Sequence, residues 1–155
     1  VDVVLGNPPW LTYKDVKSPY RQKMLDKIYE DYGLSSGSKN KTHQDMAAFF
    51  IARSQEYLKD KKNGKIGFVL TRAILDSSQY NSIRSSVFSE NSKLPRISRI
   101  YDITNKANPF NRSSCIVIFG FKNRSNIIDG FIIDSNINVK GKNLDEVDLE
   151  KNIKI

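Results

Sequence analysis

Short apolar runs, separated by stretches in which apolar residues recur with helical spacing, organise this chain. The runs predict four strands, at residues 1–5, 65–71, 97–103 and 114–121. The first run is mostly Val and Leu and is followed by glycine and proline. This composition is typical of a strand covered on both faces of a parallel sheet, so we expect residues 1–5 to be buried.

Helical spacing of apolar residues predicts three helices between the runs, at residues 20–32, 42–62 and 74–88. In the second helix, Thr42 and Asp45 have the spacing of a capping box. The dipeptide Asn63-Gly64 is a typical helix stop. The resulting order of strand, helix and strand predicts that the first two strands are parallel.

The order of elements changes in the last third of the chain. The run at 114–121 follows the run at 97–103 too closely for a helix, which predicts that these two strands pair antiparallel. Asp129-Gly130 is a turn dipeptide and indicates a small strand or hairpin at 127–133. A polar segment, 136–155, follows, with a short helix predicted at 144–151. The predicted fold class is therefore α/β, with parallel strands that end in an antiparallel hairpin.

The turn after the first run has unusual chemistry. Asn7 and Pro8 each precede a proline, which disfavours helical backbone at both positions. Pro8 and Pro9 have a fixed φ and no N–H group. The result is a stiff loop that presents the Asn7 side chain, the Pro8 carbonyl and the Trp10 ring at the carboxyl end of a strand. Ligands of open α/β sheets bind at such ends.

An apolar strand followed by Asn7, Pro8, Pro9 and Trp10 resembles the catalytic motif of S-adenosylmethionine-dependent amino methyltransferases. It is most similar to the N6-adenine DNA methyltransferases of restriction–modification systems, including enzymes of type IIG. The resemblance implies the second half of a Rossmann-like methyltransferase fold, S-adenosylmethionine as cofactor, and double-stranded DNA with a flipped adenine as partner. The likeness covers residues 1–121.

The chemistry of an exocyclic amine suits these residue types. The amine is a poor nucleophile because its lone pair is delocalised into the adenine ring. The Asn7 side chain and the Pro8 carbonyl would accept hydrogen bonds from both N–H groups, which frees the lone pair for in-line attack on a sulfonium methyl group. Both residues would therefore also meet the methyl-donor end of the cofactor. Trp10 would stack on the base once it has left the duplex.

Two further site assignments follow from the resemblance. A loop aromatic, Phe110, would pack against the flipped base across the pocket from Trp10; Asn108 is the alternative occupant of that place, and Phe110 is equally suited to cap the core. The polar stretch 33–41 would lie near the DNA, so Lys39 and Lys41 would meet phosphates, although a merely solvated loop explains them as well.

Composition adds bounds to this interpretation. With 155 residues the chain is long enough for one domain. It has 25 Lys and Arg against 17 Asp and Glu, a net charge of +8, which suits a nucleic-acid partner but also follows from an AT-rich genome. The lone Cys115 is expected in the core, and the lone His43 at the surface or in a helix cap. We expect no metal site, no membrane segment and a cytoplasmic location.

The cofactor motifs are missing from the sequence. Among eight glycines there is no G-x-G, so no phosphate-binding turn is recognisable. We expect the cofactor site upstream, residues 1–135 to be the catalytic-side part of a methyltransferase domain, and 136–155 to be a tail or the start of a target-recognition region. Without a neighbouring strand, residues 1–5 would form an exposed edge and promote self-association.

Two other functions fit the same residues. Amino methyltransferases that act on RNA or on protein glutamine need the same two acceptors, because their target is also a planar nitrogen. A non-catalytic DNA-binding module would keep the basic charge without the chemistry.

Overall fold

A computed structural model describes residues 1–34, 42–86, 92–103, 110, 112–121, 129–133 and 153–154. Its centre is one mixed sheet in the spatial order β1-β2-β4-β3-β5-β6. The strands are β1 Val3–Gly6, β2 Lys65–Thr71, β3 Arg96–Ile103, β4 Ser114–Gly120, β5 Asp129–Ile133 and β6 Ile153–Lys154.

Pairing of the first four strands follows the sequence prediction. β1 and β2 are parallel, and β3 and β4 are antiparallel. β4 also pairs antiparallel with β2, so it lies between β2 and β3. This arrangement makes β1, β2 and β3 run in one direction, with β4 reversed among them.

The expectation that the first strand is buried is wrong. β1 is an edge strand, and the exposed fractions of Val3 and Leu5 are 51% and 76%. Only Val4, which packs against the core, is partly buried. The Leu5 side chain instead lies across Gly67 of β2. A Cβ atom added to Gly67 would come within 2.7 Å of the Leu5 Cδ2 atom. The exposed edge expected for a strand without a second neighbour is present.

Helices cover one face of the sheet, and the first of them is where the sequence predicts it. α1 spans Pro19–Asp31 and begins at Ser18, whose side chain accepts a hydrogen bond from the Arg21 N–H. α2 is shorter than predicted, Met46–Ser54, and is extended only by a 3-10 turn, Gln55–Tyr57.

The predicted caps of α2 are wrong. Asp45 is itself the N-cap, because its carboxylate accepts from the Ala47 N–H at 2.9 Å, and the helix ends before Asn63-Gly64. The predicted third helix, 74–88, is also broken up. The chain forms 3-10 turns at Arg72–Ile74 and Ser78–Tyr80 and then a one-turn helix, α3 Asn81–Ser85.

The core lies between α1, α2, α3 and the inner face of the sheet. Alternate residues of β2 and β4 point into it, as the two-residue period of a strand requires. Cys115 is fully buried there as predicted, and burial raises the pKa of its thiol to about 12. The fully buried side chains include Ala47, Ile51, Ile66, Leu70, Tyr80, Ile83, Val117 and Phe119.

Two predictions concern the end of the chain. Asp129-Gly130 is not a turn but the beginning of β5, which pairs parallel with β3, so only the small strand expected there is confirmed. β6, within the predicted tail, pairs antiparallel with β5. The helix predicted at 144–151 lies outside the described residues. No helix in the described part of the chain is both long and apolar enough to cross a bilayer.

Candidate active site at the carboxyl ends of the strands

The carboxyl ends of β1, β2 and β3 meet at one edge of the sheet, where β4 begins. The turn of residues 7–10, hereafter the motif turn, leaves β1 at this edge. Arg72 follows β2 directly, and its backbone N–H donates to the Ser113 carbonyl at 3.0 Å. Phe110 and Arg112 precede β4 on the same side. This is the edge where open α/β sheets bind ligands.

The motif turn presents its asparagine to solvent. Pro8 is buried and anchors the turn, whereas Asn7 and Pro9 are exposed. Within the described residues the Asn7 side chain makes no hydrogen bond. Its amide oxygen therefore remains available to a donor from outside the chain.

Trp10 is held on two sides. Its indole N–H donates to the Val69 carbonyl of β2 at 3.4 Å, a long hydrogen bond. Its ring meets Phe110 edge to face, with ring centroids 5.1 Å apart at an interplanar angle of 65°. Phe110 is thus next to Trp10, as the sequence suggested, but the rings touch and leave no space for a base between them.

The chain just after the motif turn is clamped to the start of α2. Residues 11–13 run beside residues 44–46, with a β-bridge between Thr12 and Asp45. Two backbone hydrogen bonds flank the bridge: the Tyr13 N–H donates to the Gln44 carbonyl at 2.7 Å, and the Met46 N–H donates to the Leu11 carbonyl at 2.8 Å. The backbone that carries Trp10 is therefore fixed by α2.

Asp15 reinforces this clamp from the solvent side. Its carboxylate accepts from the Thr12 N–H at 2.9 Å and from the Thr12 hydroxyl at 2.7 Å. These bonds lower the pKa of the Asp15 carboxyl, and the charges of Lys14 and Arg112 lower it further. Arg112 acts on Asp45 in the same direction, so its positive charge lies near the segment that follows the motif turn.

A buried polar cluster lies behind the clamp. The Asp45 carboxyl, 6% exposed, faces the hydroxyl of Tyr80, and burial raises the pKa of both groups. The Thr71 hydroxyl, at the end of β2, also lies near the Tyr80 hydroxyl. Neither hydroxyl makes a hydrogen bond of regular geometry in the described structure. Tyr29 donates to the Asp45 carbonyl at 3.4 Å.

An ion pair connects the end of β2 to β3, on the side of the site away from β1. Arg72 binds the Asp102 carboxylate of β3 through Nε at 3.0 Å and through a terminal nitrogen at 2.9 Å. Because β4 lies between β2 and β3, the pair reaches over the first residues of β4. It is partly exposed, so we attribute to it a geometric role more than a large stabilisation.

The structure brings together five of the predicted site residues: Asn7, Pro8, Pro9, Trp10 and Phe110. Lys39, Lys41 and Asn108 lie outside the described residues. His43 is exposed. In the described ranges, no group of three or more His, Cys, Asp and Glu side chains is placed to hold a metal ion.

Sequence reasoning missed three elements of the site: the Asp45 clamp, the Tyr80 hydroxyl and the ion pair of Arg72 with Asp102. Asp45 was predicted as the second residue of a capping box with Thr42 and is itself the N-cap, and Tyr80 fell inside the predicted helix 74–88. A usable signal existed for the clamp, because Thr12 and Asp15 have the spacing of a helix start directly after the motif turn.

Among the described residues, the candidate contact to S-adenosylmethionine is Asn7. It is exposed beside Trp10 and makes no hydrogen bond within the described residues, so it would be free to meet the methyl-donor end of that cofactor. No glycine-rich turn follows a described strand, and Gly6, the glycine nearest the site, is backed at 3.3 Å by the Phe68 ring and so offers no cradle. The described glycines therefore offer no cradle for the adenosine.

Solved structures share this fold. A protein from Listeria monocytogenes assigned to the class I S-adenosylmethionine-dependent methyltransferases matches with a TM-score of 0.55 at 15% identity, over 85% of this chain and 36% of that one. DrdV, in a complex with DNA, matches with a TM-score of 0.55 at 18% identity, over 85% of this chain and 14% of that one.

The Type ISP restriction–modification enzyme LlaGI, in complex with a DNA substrate mimic, matches with a TM-score of 0.51 at 21% identity, over 83% and 12%. This chain thus spans only about a third or less of the structures it matches. At these identities the likeness shows the fold alone, a mixed α/β sheet that corresponds to part of a methyltransferase fold.

The family was found by a comparison with family models. No curated protein matches the chain at a significant level. The model of the Eco57I restriction-modification methylase matches residues 1–110, which include β1, the motif turn, β2 and β3. Because this match covers most of the chain and the whole edge from Asn7 to Phe110, the chain belongs to the Eco57I restriction-modification methylase family.

Proposed function

We propose that this chain is the catalytic side of a methyltransferase that modifies the N6 amine of adenine in DNA, within a restriction–modification enzyme. The family and the fold support methyl transfer. The observation that carries the finer assignment is the exposed Asn7 amide, which has no partner among the described residues and lies next to a fixed aromatic ring.

The residues of the motif turn would activate the amine by accepting hydrogen bonds from it. The Asn7 side chain and the Pro8 carbonyl each accept a hydrogen bond from one N–H group, which favours a tetrahedral nitrogen with a free lone pair. S-adenosylmethionine supplies an electrophilic methyl group when bound. The chain contributes position and electrostatic stabilisation, and it forms no covalent intermediate.

Trp10 would receive the base. A stacked adenine needs one open ring face, and Trp10 is only partly buried. Since Phe110 touches Trp10 at present, the base would displace Phe110 or meet it edge-on. The base has to leave the duplex for either arrangement, which costs a few kcal/mol of unstacking.

Double-stranded DNA is the proposed partner. The net charge of +8 suits phosphate contacts, and two structures of similar fold are complexes with DNA or a DNA mimic. Lys39 and Lys41 remain proposed phosphate contacts. RNA amines and protein glutamine would need the same acceptors, so the test includes them, together with the case of DNA binding without catalysis.

The test is Asn7→Ala in the full-length protein, with transfer of a labelled methyl group to unmodified DNA, to RNA and to a glutamine-containing peptide. We expect transfer to DNA alone, N6-methyladenine as the product, and a loss of turnover of about 10²–10³ in the variant, as for removal of one positioned electrostatic partner. Affinity for S-adenosylmethionine should change far less.

Two controls sharpen this experiment. Asn7→Asp keeps an acceptor and should retain more turnover than Asn7→Ala. Asn63→Ala changes an exposed asparagine in a distant turn and should leave turnover intact. Near-normal turnover of Asn7→Ala would refute the role of Asn7. DNA binding by the wild type without any methyl transfer would favour the non-catalytic alternative.

A further inference from the structure

Four cationic side chains stand close together in the segment after the motif turn, and we call them the basic surface: Lys14, Lys17, Arg21 and Lys23. All four are exposed, and Asp15 is the one acidic residue among them in the sequence. Within the described residues, none of the four side chains makes an ion pair or a hydrogen bond. Their positive charge is balanced by one carboxylate at most, and that carboxylate has hydrogen bonds of its own.

The basic surface lies at the same edge of the sheet as the motif turn. Lys14 is four residues after Trp10, so their Cα atoms are at most about 14 Å apart. Lys17 and Arg21 line a groove that also includes Leu11, the residue directly after Trp10. The cations therefore adjoin the backbone that carries Trp10.

The direction of α1 supports this placement. α1 ends at Asp31, whose carbonyl accepts a hydrogen bond from the Lys93 ammonium group at 3.2 Å. Lys93 precedes β3, which runs in the same direction as β1 and so begins at the edge opposite to the motif turn. α1 therefore runs from the motif edge to the opposite edge. Arg21 and Lys23, in its first two turns, lie at the end nearer to the motif turn.

Exposed apolar and aromatic side chains are interspersed with these cations. Tyr20 is 73% exposed, and Leu11 and Met24 are each 49% exposed. A cluster of Lys and Arg on one face or along a helix is the electrostatic footprint of a nucleic-acid interface. Phosphates pair with such cations and release the counterions that surround the duplex, which makes binding favourable.

A second cluster of exposed lysines differs from the basic surface in position alone. Lys59, Lys61 and Lys62 lie in the turn before β2, and the Lys59 N–H donates to the Val1 carbonyl at 2.8 Å. This cluster is at the start of β1 and β2, whereas the motif turn follows the end of β1. DNA that delivers a base to Trp10 has its backbone at the motif edge, so the basic surface is the cluster in position to bind it.

We propose that the basic surface binds the phosphate backbone of double-stranded DNA beside the motif turn. This rests on the proposed function, because the DNA of that reaction is taken as the partner. Phosphate contacts fix the register and orientation of a duplex and carry no sequence information themselves. The basic surface thus holds the duplex so that a base leaving it reaches Trp10, and it touches no reacting atom.

The test measures binding of the full-length protein to a fluorescein-labelled duplex of mixed sequence, by fluorescence anisotropy at several salt concentrations. The test variant loses three cations beside the motif turn, Lys14→Gln, Lys17→Gln and Arg21→Gln. The matched control loses three cations at the opposite edge, Lys59→Gln, Lys61→Gln and Lys62→Gln. Both variants have the same net charge, so a difference between them reports position.

The plot of log K against log salt concentration should become shallower by about 2–3 in the test variant, because each lost phosphate contact removes about 0.9 from the slope. The control variant should keep the wild-type slope. Lys17→Gln alone and Arg21→Gln alone should each change the slope by about 0.9, which keeps the test decisive if the triple variant folds poorly. Equal changes in the test and control variants would show that binding follows net charge alone and would overturn the proposal.

The basic surface and the proposed function can fail separately. A wild type that binds the duplex with the expected dependence on the basic surface, but transfers no methyl group, would refute the proposed function and leave the surface standing. A wild type that methylates adenine in DNA, while the test variant keeps the wild-type slope, would refute the surface alone. Stronger binding to single-stranded RNA than to the duplex, lost in the test variant, would overturn DNA as the partner.

Discussion

β1 and β2 are parallel neighbours with similar apolar sequences, yet they differ in almost every physical respect. Ile66 and Leu70 of β2 are completely buried in the core, whereas Val3 and Leu5 of β1 are exposed. In the sheet formed by the described residues, β2 has a strand on each side and β1 has one. The site residues nevertheless follow β1.

The difference assigns most of the stability of the fold to β2 and the candidate catalytic residues to the turn after β1. β2 belongs to the hydrophobic core and supplies fixed supports for the site, namely the Val69 carbonyl and the Thr71 end. β1 contributes little burial and ends in a turn that proline rigidity and the clamp at α2 hold in place. We infer that β1 can be changed without unfolding the core, whereas a change in β2 affects both the stability of the core and the supports of the site.

The largest expected effect compares two leucines. Leu70→Ala should lower the free energy of unfolding by about 2–5 kcal/mol, as large-to-small changes in a packed core do. Leu5→Ala should change it by no more than about 0.5 kcal/mol, because that side chain is already in solvent. Urea denaturation of the two variants measures both values. Equal losses would mean that β1 is part of the core.

The sequence predicts strands better than it predicts their surroundings. Residues 65–71 were predicted as a strand with the observed bounds, and the antiparallel pairing of β3 and β4 followed from the short connection. An apolar run does not reveal how many neighbours a strand has, so β1 was expected to be buried. The insertion of β4 between β2 and β3 depends on long-range pairing, which no local pattern encodes.

The residues of the candidate site were likewise predictable from the sequence only in part. Asn7, Pro8, Pro9 and Trp10 are contiguous, so one stretch of sequence was enough to select them. Asp45, Tyr80 and the ion pair of Arg72 with Asp102 come from separate segments that only the fold brings together. Tyr80 was not selected as a site residue, because an aromatic residue inside a predicted helix, here 74–88, normally only packs in the core.

The second prediction concerns capture of the base by Trp10. Stacking of a base on an aromatic ring contributes about 1–3 kcal/mol, so Trp10→Ala should weaken capture by that amount, while Trp10→Phe and Trp10→Tyr should largely preserve it. The measurement uses the full-length protein and DNA with 2-aminopurine at the target adenine. Equal fluorescence enhancement in wild type and Trp10→Ala would mean that Trp10 only packs against Phe110.

A smaller effect should follow from the free edge of β1. Exposed apolar edge strands pair with other chains, so we expect the isolated chain to self-associate through residues 1–5. Leu5→Lys would set like charges on adjoining strands, which costs roughly 0.2–1 kcal/mol per facing pair. Sedimentation equilibrium should then show weaker association than for Leu5→Ala. Monomers at all concentrations of the wild type would contradict the expectation.

The smallest expected effect is that no binding of the cofactor to the isolated chain is detected. Titration of the isolated chain with S-adenosylmethionine in a calorimeter should give no heat of binding up to about 1 mM, so any affinity is weaker than about −4 kcal/mol. The reason is again the contrast between the two strands. Under the proposed function the turn after β1 would bring Asn7 and Pro8 to the methyl-donor end, but neither β1 nor β2 is followed by a glycine-rich turn for the rest of the cofactor. One-to-one binding at micromolar concentration would place a complete cofactor site within these 155 residues. Repeating the titration with Asn7→Ala would then show whether that site includes the motif turn.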